Sequence, residues 1–180
     1  MIIGLMGKIG SGKDTVAEYL VKKYGFVMVG FGDVTREIAK EKGIEPTREN
    51  LLEIQKEMVS KYGIDYFPKR IARMIKEKKL DRVVVNGIRR PTDALTLKEE
   101  FGEDFKLVLV ETDPKIRYER MLKRGRVGDP KQYLDFQKQE EAEIKSFGLD
   151  KTFKMAEKII TNNTSLEDLY KQVDELISSF

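Results

Sequence analysis

The first residues that could do chemistry lie in the segment Gly4–Thr15, "GLMGKIGSGKDT". A Gly, four residues and then Gly-Lys is the spacing of a phosphate-binding loop. Its glycines allow backbone N–H groups to turn inward, and its lysine adds a positive charge. We therefore expect the loop to bind the phosphates of ATP through Gly7, Lys8, Ile9, Gly10, Ser11, Gly12 and Lys13.

The position after this lysine departs from the motif, which asks for Ser or Thr as a magnesium ligand. Asp14 stands there instead, and Thr15 follows. Asp14 has two interpretations, which the sequence leaves open: a helix-start acid favoured by the helix dipole, or a ligand of magnesium or of its water. The Thr15 hydroxyl can also reach a phosphate or the ion, so both residues are candidates for ATP and metal binding.

The composition restricts the chemistry available to the 180-residue chain. It contains neither Cys nor His, which excludes thiol nucleophiles, His bases and Cys/His zinc sites. What remains is Lys, Arg, carboxylates, hydroxyls, backbone amides and a hard metal ion, the set that phosphoryl transfer uses.

Charge and hydropathy restrict the partners. An excess of 34 basic over 31 acidic residues is too small to indicate a nucleic-acid partner. The longest apolar runs, such as Leu107–Val110, are too short to cross a membrane. The N-terminal run is expected to be a strand and not a signal peptide. We therefore expect a cytoplasmic protein with no membrane partner; the sequence does not indicate an oligomeric state.

Apolar strands alternate with helices along the chain, which predicts an α/β fold. The expected architecture is one domain over residues 1–180, with a five-stranded parallel sheet and helices on both of its faces. Ligands of such sheets bind beyond the carboxyl ends of the strands, where every candidate residue lies. The predicted strands are Met1–Met6, Phe26–Phe31, Arg82–Asn86, Phe105–Glu111 and Lys158–Thr161.

Four segments together resemble the adenylate-kinase-like family of P-loop nucleotide kinases. They are "GKIGSGKDT" (Gly7–Thr15), "GDVTR" (Gly32–Arg36), "NGIRRPTDA" (Asn86–Ala94) and "RMLKR" (Arg120–Arg124), in the family's order. The chain most resembles archaeal adenylate-kinase-like proteins, which are often likened to dephospho-coenzyme A kinase. The resemblance implies a nucleoside monophosphate kinase-like P-loop NTPase fold. An acceptor-binding helical insert would span about 33–79 and a lid about 125–146.

The resemblance also assigns residues to the acceptor. Arg36 and Arg90 would grip its phosphate, because a planar guanidinium binds phosphate oxygens in pairs. Arg89 replaces a Pro of the family and adds positive charge nearby. Asp33 would either contact the acceptor or cap the helix that starts there.

On the ATP side, Arg120 and Arg124 lie one helical turn apart. The resemblance implies that one packs on the adenine and the other contacts phosphates, and that Arg126 stabilises charge on the transferring group. Together with Lys13, Arg120 and Arg126 are the expected catalytic residues. Asn162 follows the last strand and would either contact the adenine or stabilise the turn at the end of this strand.

One departure from the family concerns magnesium. Asn86 replaces a third-strand Asp that helps to hold the ion, while Asp14 appears where the family has none. We hypothesise that the carboxylate has moved from one position to the other.

The expected function is an ATP- and magnesium-dependent kinase acting on a phosphate-bearing, nucleotide-like acceptor. The preferred acceptor is a nucleoside monophosphate, and the second choice is dephospho-coenzyme A. If the acceptor is dephospho-coenzyme A, Asp33 would be the candidate base for its ribose hydroxyl. The alternative is an ATPase that acts as a nucleotide-dependent switch on an RNA or protein partner.

Overall fold

The computed structural model describes residues 1–125 and 129–180. Its five strands form one parallel sheet in the order β2-β3-β1-β4-β5, which confirms the predicted fold class. The strands are β1 (Ile2–Met6), β2 (Val27–Gly30), β3 (Val83–Asn86), β4 (Phe105–Glu111) and β5 (Lys158–Thr161).

Helices cover both faces of the sheet. Those in the described residues are α1 (Lys13–Tyr24), α2 (Phe31–Glu41), α3 (Arg48–Tyr62), α4 (Tyr66–Glu77), α5 (Pro91–Phe101), α6 (Pro114–Arg124), α7 (Tyr133–Phe147), α8 (Leu149–Phe153) and α9 (Leu166–Ser178). A short 3₁₀ turn, Gly102–Asp104, joins α5 to β4.

The period-two pattern of a strand divides the core into two layers. In β1, Ile2 and Met6 pack on the layer beneath α2–α5, whereas Ile3 and Leu5 pack on the layer beneath α1 and α9. All four side chains are buried. The strands therefore read as continuous apolar runs, as expected for a parallel sheet covered on both sides.

Several helix starts follow the capping residues in the sequence. Thr47 accepts a hydrogen bond from the Asn50 N–H at the start of α3, and Ser165 accepts one from the Asp168 N–H at the start of α9. Asp113 caps α6 just before Pro114. Thr, Ser and Asp are the residue types that commonly cap helix starts, and Pro is favoured at the first helical position.

Three strands are shorter than predicted: β1 begins at Ile2, β2 spans Val27–Gly30 and β3 begins at Val83. Helix α2 begins at Phe31, two residues before Asp33, because the Asp33 carboxylate reaches back to accept a hydrogen bond of 2.9 Å from the Gly30 N–H. Helix α8 was not predicted, since five residues give too short a periodic pattern to recognise. None of the described helices is long and apolar enough to cross a membrane.

The strand order sets the position of the site. β1 is central, and its Leu5 is in register with Asn86, the last residue of β3. The loop that follows β1 and the segment that follows β3 therefore emerge side by side, at the carboxyl edge where ligands of such sheets bind. The proposed helical insert corresponds to α2–α4. The proposed lid, about 125–146, corresponds to most of α7 and the segment before it, of which residues 126–128 lie outside the described residues. Both assignments stay predictions.

Candidate active site

The phosphate-binding loop connects β1 to α1. Gly12, immediately before α1, has φ 93°, in the left-handed region that favours glycine. A Cβ at Gly12 would lie 2.1 Å from Asn162 Nδ2, so this position has no room for a side chain. No side chain caps the start of α1, and its first-turn N–H groups are open to an anion.

Residues behind the loop hold its carbonyl groups. The Ser11 carbonyl accepts hydrogen bonds from Thr112 Oγ1, at 2.8 Å, and from Asn162 Nδ2, at 2.9 Å. The Ile9 carbonyl accepts one from Arg117 Nη1, at 3.3 Å. These hydrogen bonds stabilise the conformation of the loop.

Arg117 is a site residue that the sequence analysis missed. Its side chain is fully buried on α6, donates from Nε to the Thr112 carbonyl at 2.9 Å, and stacks over the Phe136 ring at 5.3 Å. Its guanidinium forms an ion pair with Glu140 of α7, whose carboxylate also lies 3.5 Å from Lys8 Nζ. Arg117 thus joins the phosphate loop to α7.

Lys13, at the start of α1, is a cation without an ion-pair partner among the residues described. Burial lowers the pKa of its ammonium group, an effect that the nearby charge of Asp14 opposes. A half-buried ammonium with unused donors is suited to phosphate oxygens, in agreement with the motif.

Asp14 and Asn86 are in direct contact. Asn86 Nδ2 donates a hydrogen bond of 2.8 Å to Asp14 Oδ1, and Asn86 Oδ1 is buried without a hydrogen-bond partner. The sequence hypothesis required these two residues to share one place, and the structure brings them together.

The donor set fits a magnesium ion bound together with phosphates. Within residues 1–125 and 129–180, no three carboxylate, His or Cys side chains cluster as a metal site. Magnesium is held in proteins by one or two carboxylates, with phosphates and waters completing its octahedron. Asp14 and Thr15 would contact the ion or its waters, and the unpartnered Asn86 oxygen can accept from such a water.

The two acceptor candidates on α2 are paired with each other. Asp33 Oδ1 accepts a hydrogen bond from Arg36 Nη2, while Asp33 Oδ2 caps the helix as described above. Of the two interpretations of Asp33, capping is therefore observed. Both side chains are exposed, and their contact with an acceptor stays a prediction.

Arg89 and Arg90 follow β3, and hydrogen bonds to their backbone N–H groups hold them in place. Their N–H groups donate to Asp93 Oδ2, at 3.3 and 2.9 Å. Asp93 is buried, and burial raises the pKa of its carboxyl group while these two hydrogen bonds lower it. The guanidinium carbons of Arg89 and Arg90 lie 5.1 and 4.9 Å from the centre of the Phe147 ring, another residue that sequence reasoning missed.

Arg120 and Arg124 have different surroundings despite their helical spacing. Arg120 Nη2 donates to the Asn162 carbonyl at 2.9 Å, while its Nη1 is buried without a partner and burial lowers the pKa of the guanidinium. Arg124 forms a bidentate ion pair with Asp129, which raises its pKa.

The outcome for the remaining ATP-side residues is mixed. The Asn162 side chain clamps the phosphate loop, so a turn-stabilising role is observed and contact with adenine stays a prediction. Arg126, an expected catalytic residue at the base of the lid, lies outside the described residues.

Comparisons with known proteins identify the family of the chain. The family model described as an AAA domain matches residues 6–135. A UPF0200 protein of Thermococcus onnurineus is 33% identical over 180 residues, covering 98% of this chain and 96% of that protein. A UPF0200/UPF0201 protein of Archaeoglobus fulgidus is 34% identical over 178 residues, but the chain spans only 54% of its length.

Solved structures share the fold. The crystal structure of TT1252 from Thermus thermophilus aligns with a TM-score of 0.65 and 21% identity, covering 100% of this chain and 97% of that one. Shikimate kinase from Acinetobacter baumannii, in complex with shikimate, aligns with a TM-score of 0.57 and 20% identity, covering 99% and 93%. The chain has the fold of P-loop kinases, and it belongs to the AAA domain family and to the UPF0200 proteins.

Proposed function

We propose that the protein is an ATP- and magnesium-dependent phosphotransferase whose nucleotide-like acceptor already carries a phosphate. One observation carries the proposal. Lys13, Arg89 and Arg90 meet at the carboxyl edge of the sheet, and none of them forms an ion pair with another described residue. Positive charge that the chain itself leaves unpaired favours an anionic ligand at this place.

On the donor side, the loop N–H groups and Lys13 would bind the β- and γ-phosphates of ATP. Arg120 has an unused, buried Nη1 facing the same region as Gly12, which suits it to a phosphate or to the adenine. Magnesium, bound with the nucleotide, would neutralise charge on the phosphates.

On the acceptor side, Asp33 argues for a phosphate as the nucleophile. A ribose hydroxyl would benefit from a general base, but both oxygens of Asp33 already accept hydrogen bonds. An acceptor phosphate is itself a nucleophile and needs no base. The preferred acceptor is therefore a nucleoside monophosphate, and the second candidate is dephospho-coenzyme A.

A second function is favoured by the buried contact between Arg117 and Glu140. Since Arg117 binds the Ile9 carbonyl of the loop and the carboxylate of α7, a change in the loop upon hydrolysis would reach α7. The protein would then be an ATPase that presents α7 differently to an RNA or protein partner in its two nucleotide states.

The two functions differ in what stimulates ATP consumption. We would measure ADP release with magnesium and a panel of nucleoside monophosphates and dephospho-coenzyme A, with Lys13→Met as the control. Strong stimulation by one small acceptor, absent in Lys13→Met, supports the phosphotransferase. Slow ADP release that no member of the panel alters argues against it and favours the switch.

A further inference from the structure

The backbone of Arg89 and Arg90 is fixed from two elements. Asp93 Oδ2 accepts a hydrogen bond from both of their N–H groups, as noted above. Thr152 Oγ1, on α8, donates a hydrogen bond of 2.8 Å to the Arg89 carbonyl. Helices α5 and α8 thus hold the backbone of this segment from both sides.

The two guanidinium groups share one aromatic anchor. Phe147 is the last residue of α7, and the distances of 5.1 and 4.9 Å place both groups against its ring. A guanidinium near an aromatic face is attracted by the ring quadrupole. The carboxyl end of a helix is also the negative end of its dipole, which favours cations.

The chain turns immediately after this anchor. Gly148 has φ 68°, and a Cβ there would lie 3.8 Å from Pro91 Cδ. The junction between α7 and α8 therefore lies close to Pro91, the residue that follows the two arginines.

The donors of the two arginines are unused. Three other arginines of the site have carboxylate partners: Arg36 pairs with Asp33, Arg117 with Glu140 and Arg124 with Asp129. Neither Arg89 nor Arg90 donates a side-chain hydrogen bond or forms an ion pair within the described parts of the chain. Each guanidinium carries five N–H donors. Contact with the ring therefore positions both groups and leaves all of these donors available to a phosphate.

These donors lie on the side of the phosphate loop. The pKa of Lys13 is lowered mainly by burial and also by the charge of Arg89. Lys13 and Arg89 therefore repel each other in the free protein, and a bound anion with two negative charges would relieve this repulsion.

We infer that Phe147 is a positioning residue that holds Arg89 and Arg90 as one receptor for a phosphate dianion on the acceptor. This inference deepens the proposed function and rests on it for the identity of the site. The acceptor class is accordingly a phosphate monoester, whose second ionisation has a pKa of about 6.

The test measures binding and not turnover. With a non-hydrolysable ATP analogue and magnesium saturating the donor site, inorganic phosphate is titrated while the Nε–Hε NMR signals of Arg89 and Arg90 are followed. Arg89→Lys and Arg90→Lys assign the signals. We expect both signals to shift with a single dissociation constant, and binding to tighten as the pH rises from 5 to 8 and the dianion forms.

The variants separate the role of the ring from general stability. Phe147→Leu keeps an apolar side chain but removes the aromatic face, and we expect phosphate binding about tenfold weaker. Phe147→Tyr restores the face and should bind within about twofold of the native protein. The control is Phe101→Leu, because Phe101 carries Lys76 at 5.4 Å far from the site, and it should leave phosphate binding unchanged.

Unaltered phosphate binding in Phe147→Leu would overturn the inference. So would two different dissociation constants for the two arginine signals, or no gain in affinity as the dianion forms. If Phe147→Leu weakens the binding of adenosine as much as the binding of AMP, the ring instead stacks on the base. Intact phosphate binding without phosphoryl transfer would refute the proposed function alone. Transfer that survives in Phe147→Leu with normal acceptor affinity would refute this inference alone.

Discussion

Asn86 Nδ2 donates a hydrogen bond of 2.8 Å to Asp14 Oδ1, across the gap between the end of β3 and the first turn of α1. An ionised carboxylate only accepts hydrogen bonds, so the amide must present its NH₂ group to Asp14. The amide oxygen of Asn86 is consequently left buried without a partner. This arrangement supports the hypothesis that Asp14 supplies the negative charge that Asn86 lacks, at nearly the same place.

Exchanging these two residues tests the hypothesis. Asp14→Asn removes the carboxylate and should raise the magnesium concentration for half-maximal activity by roughly tenfold or more. Asn86→Asp alone places two carboxylates in contact, so that they repel or share a proton, and it should not improve activity. The double variant restores one amide, one carboxylate and their hydrogen bond, and it should recover much of the loss.

The measurement is a magnesium titration of activity for the four proteins. Groups that share one ion should show strongly non-additive effects. Additive effects, or a normal magnesium demand in Asp14→Asn, would leave Asp14 as a favourable charge at a helix start.

The buried ion pair between Arg117 and Glu140 should be costly to break. Removing one partner leaves the other charge buried, so Arg117→Met is expected to lower the free energy of unfolding by about 3–5 kcal/mol. Replacing both residues by Met should cost less than Arg117→Met alone. Chemical denaturation measures the free energy of unfolding of both variants. Glu57→Gln, which breaks the exposed ion pair with Lys42, is the control and should change stability by less than about 1 kcal/mol. A small effect of Arg117→Met would remove the evidence that Arg117 joins the loop to α7.

The lowered pKa of Lys13 predicts a pH dependence. Burial makes the ammonium of the free protein lose its proton below the ordinary value of 10.5, whereas bound phosphates would stabilise the charged form. The alkaline fall of kcat/KM for ATP should therefore occur at a lower pH than the fall of kcat. Coincident alkaline limbs would contradict contact between Lys13 and the phosphates.

The same shift has a consequence for stability. Between the lowered pKa and 10.5, the unfolded chain binds more protons at Lys13 than the folded protein, so this residue makes the free energy of unfolding rise with pH there. In Lys13→Met that contribution should be absent, and at pH 7 the variant should be at least as stable as the native protein although it cannot transfer a phosphoryl group. A clear loss of stability at pH 7 would show that Lys13 is a packing residue.

Helix α7 should respond to simultaneous occupation of both proposed sites, because it contacts Lys8 of the phosphate loop through Glu140, and Arg89 and Arg90 through Phe147. A bisubstrate analogue that joins ATP to the acceptor should slow hydrogen exchange of the α7 amides more than ATP alone does. Helix α9 packs on the opposite layer and serves as the internal control. Equal exchange with and without the analogue would argue against a lid.

Local signals in the sequence sufficed for the fold class and for the position of the phosphate-binding loop. The glycine spacing before Lys13 marked the loop, and the apolar runs marked the strands of the sheet. Such features depend on a few neighbouring residues, which is why they can be read without the tertiary structure.

The remaining parts of the site depend on contacts between distant residues. Arg117 resembles any cation on a polar helix, and its only signal was its position three residues before Arg120. Phe147 and Thr152 gain their roles only when the α7–α8 junction packs on the segment after β3. Neither periodicity nor a motif could have indicated these long-range contacts.

The destination of the γ-phosphoryl group of ATP tests the central claim most directly. The native protein is incubated with magnesium, ATP labelled in its γ-phosphate, and the acceptor that most stimulates ADP release; labelled acceptor, labelled phosphate and ADP are then quantified by mass. We predict one labelled acceptor for each ADP, with no transfer in Lys13→Met. Recovery of the label as inorganic phosphate alone, in amounts equal to ADP, would contradict the phosphotransferase.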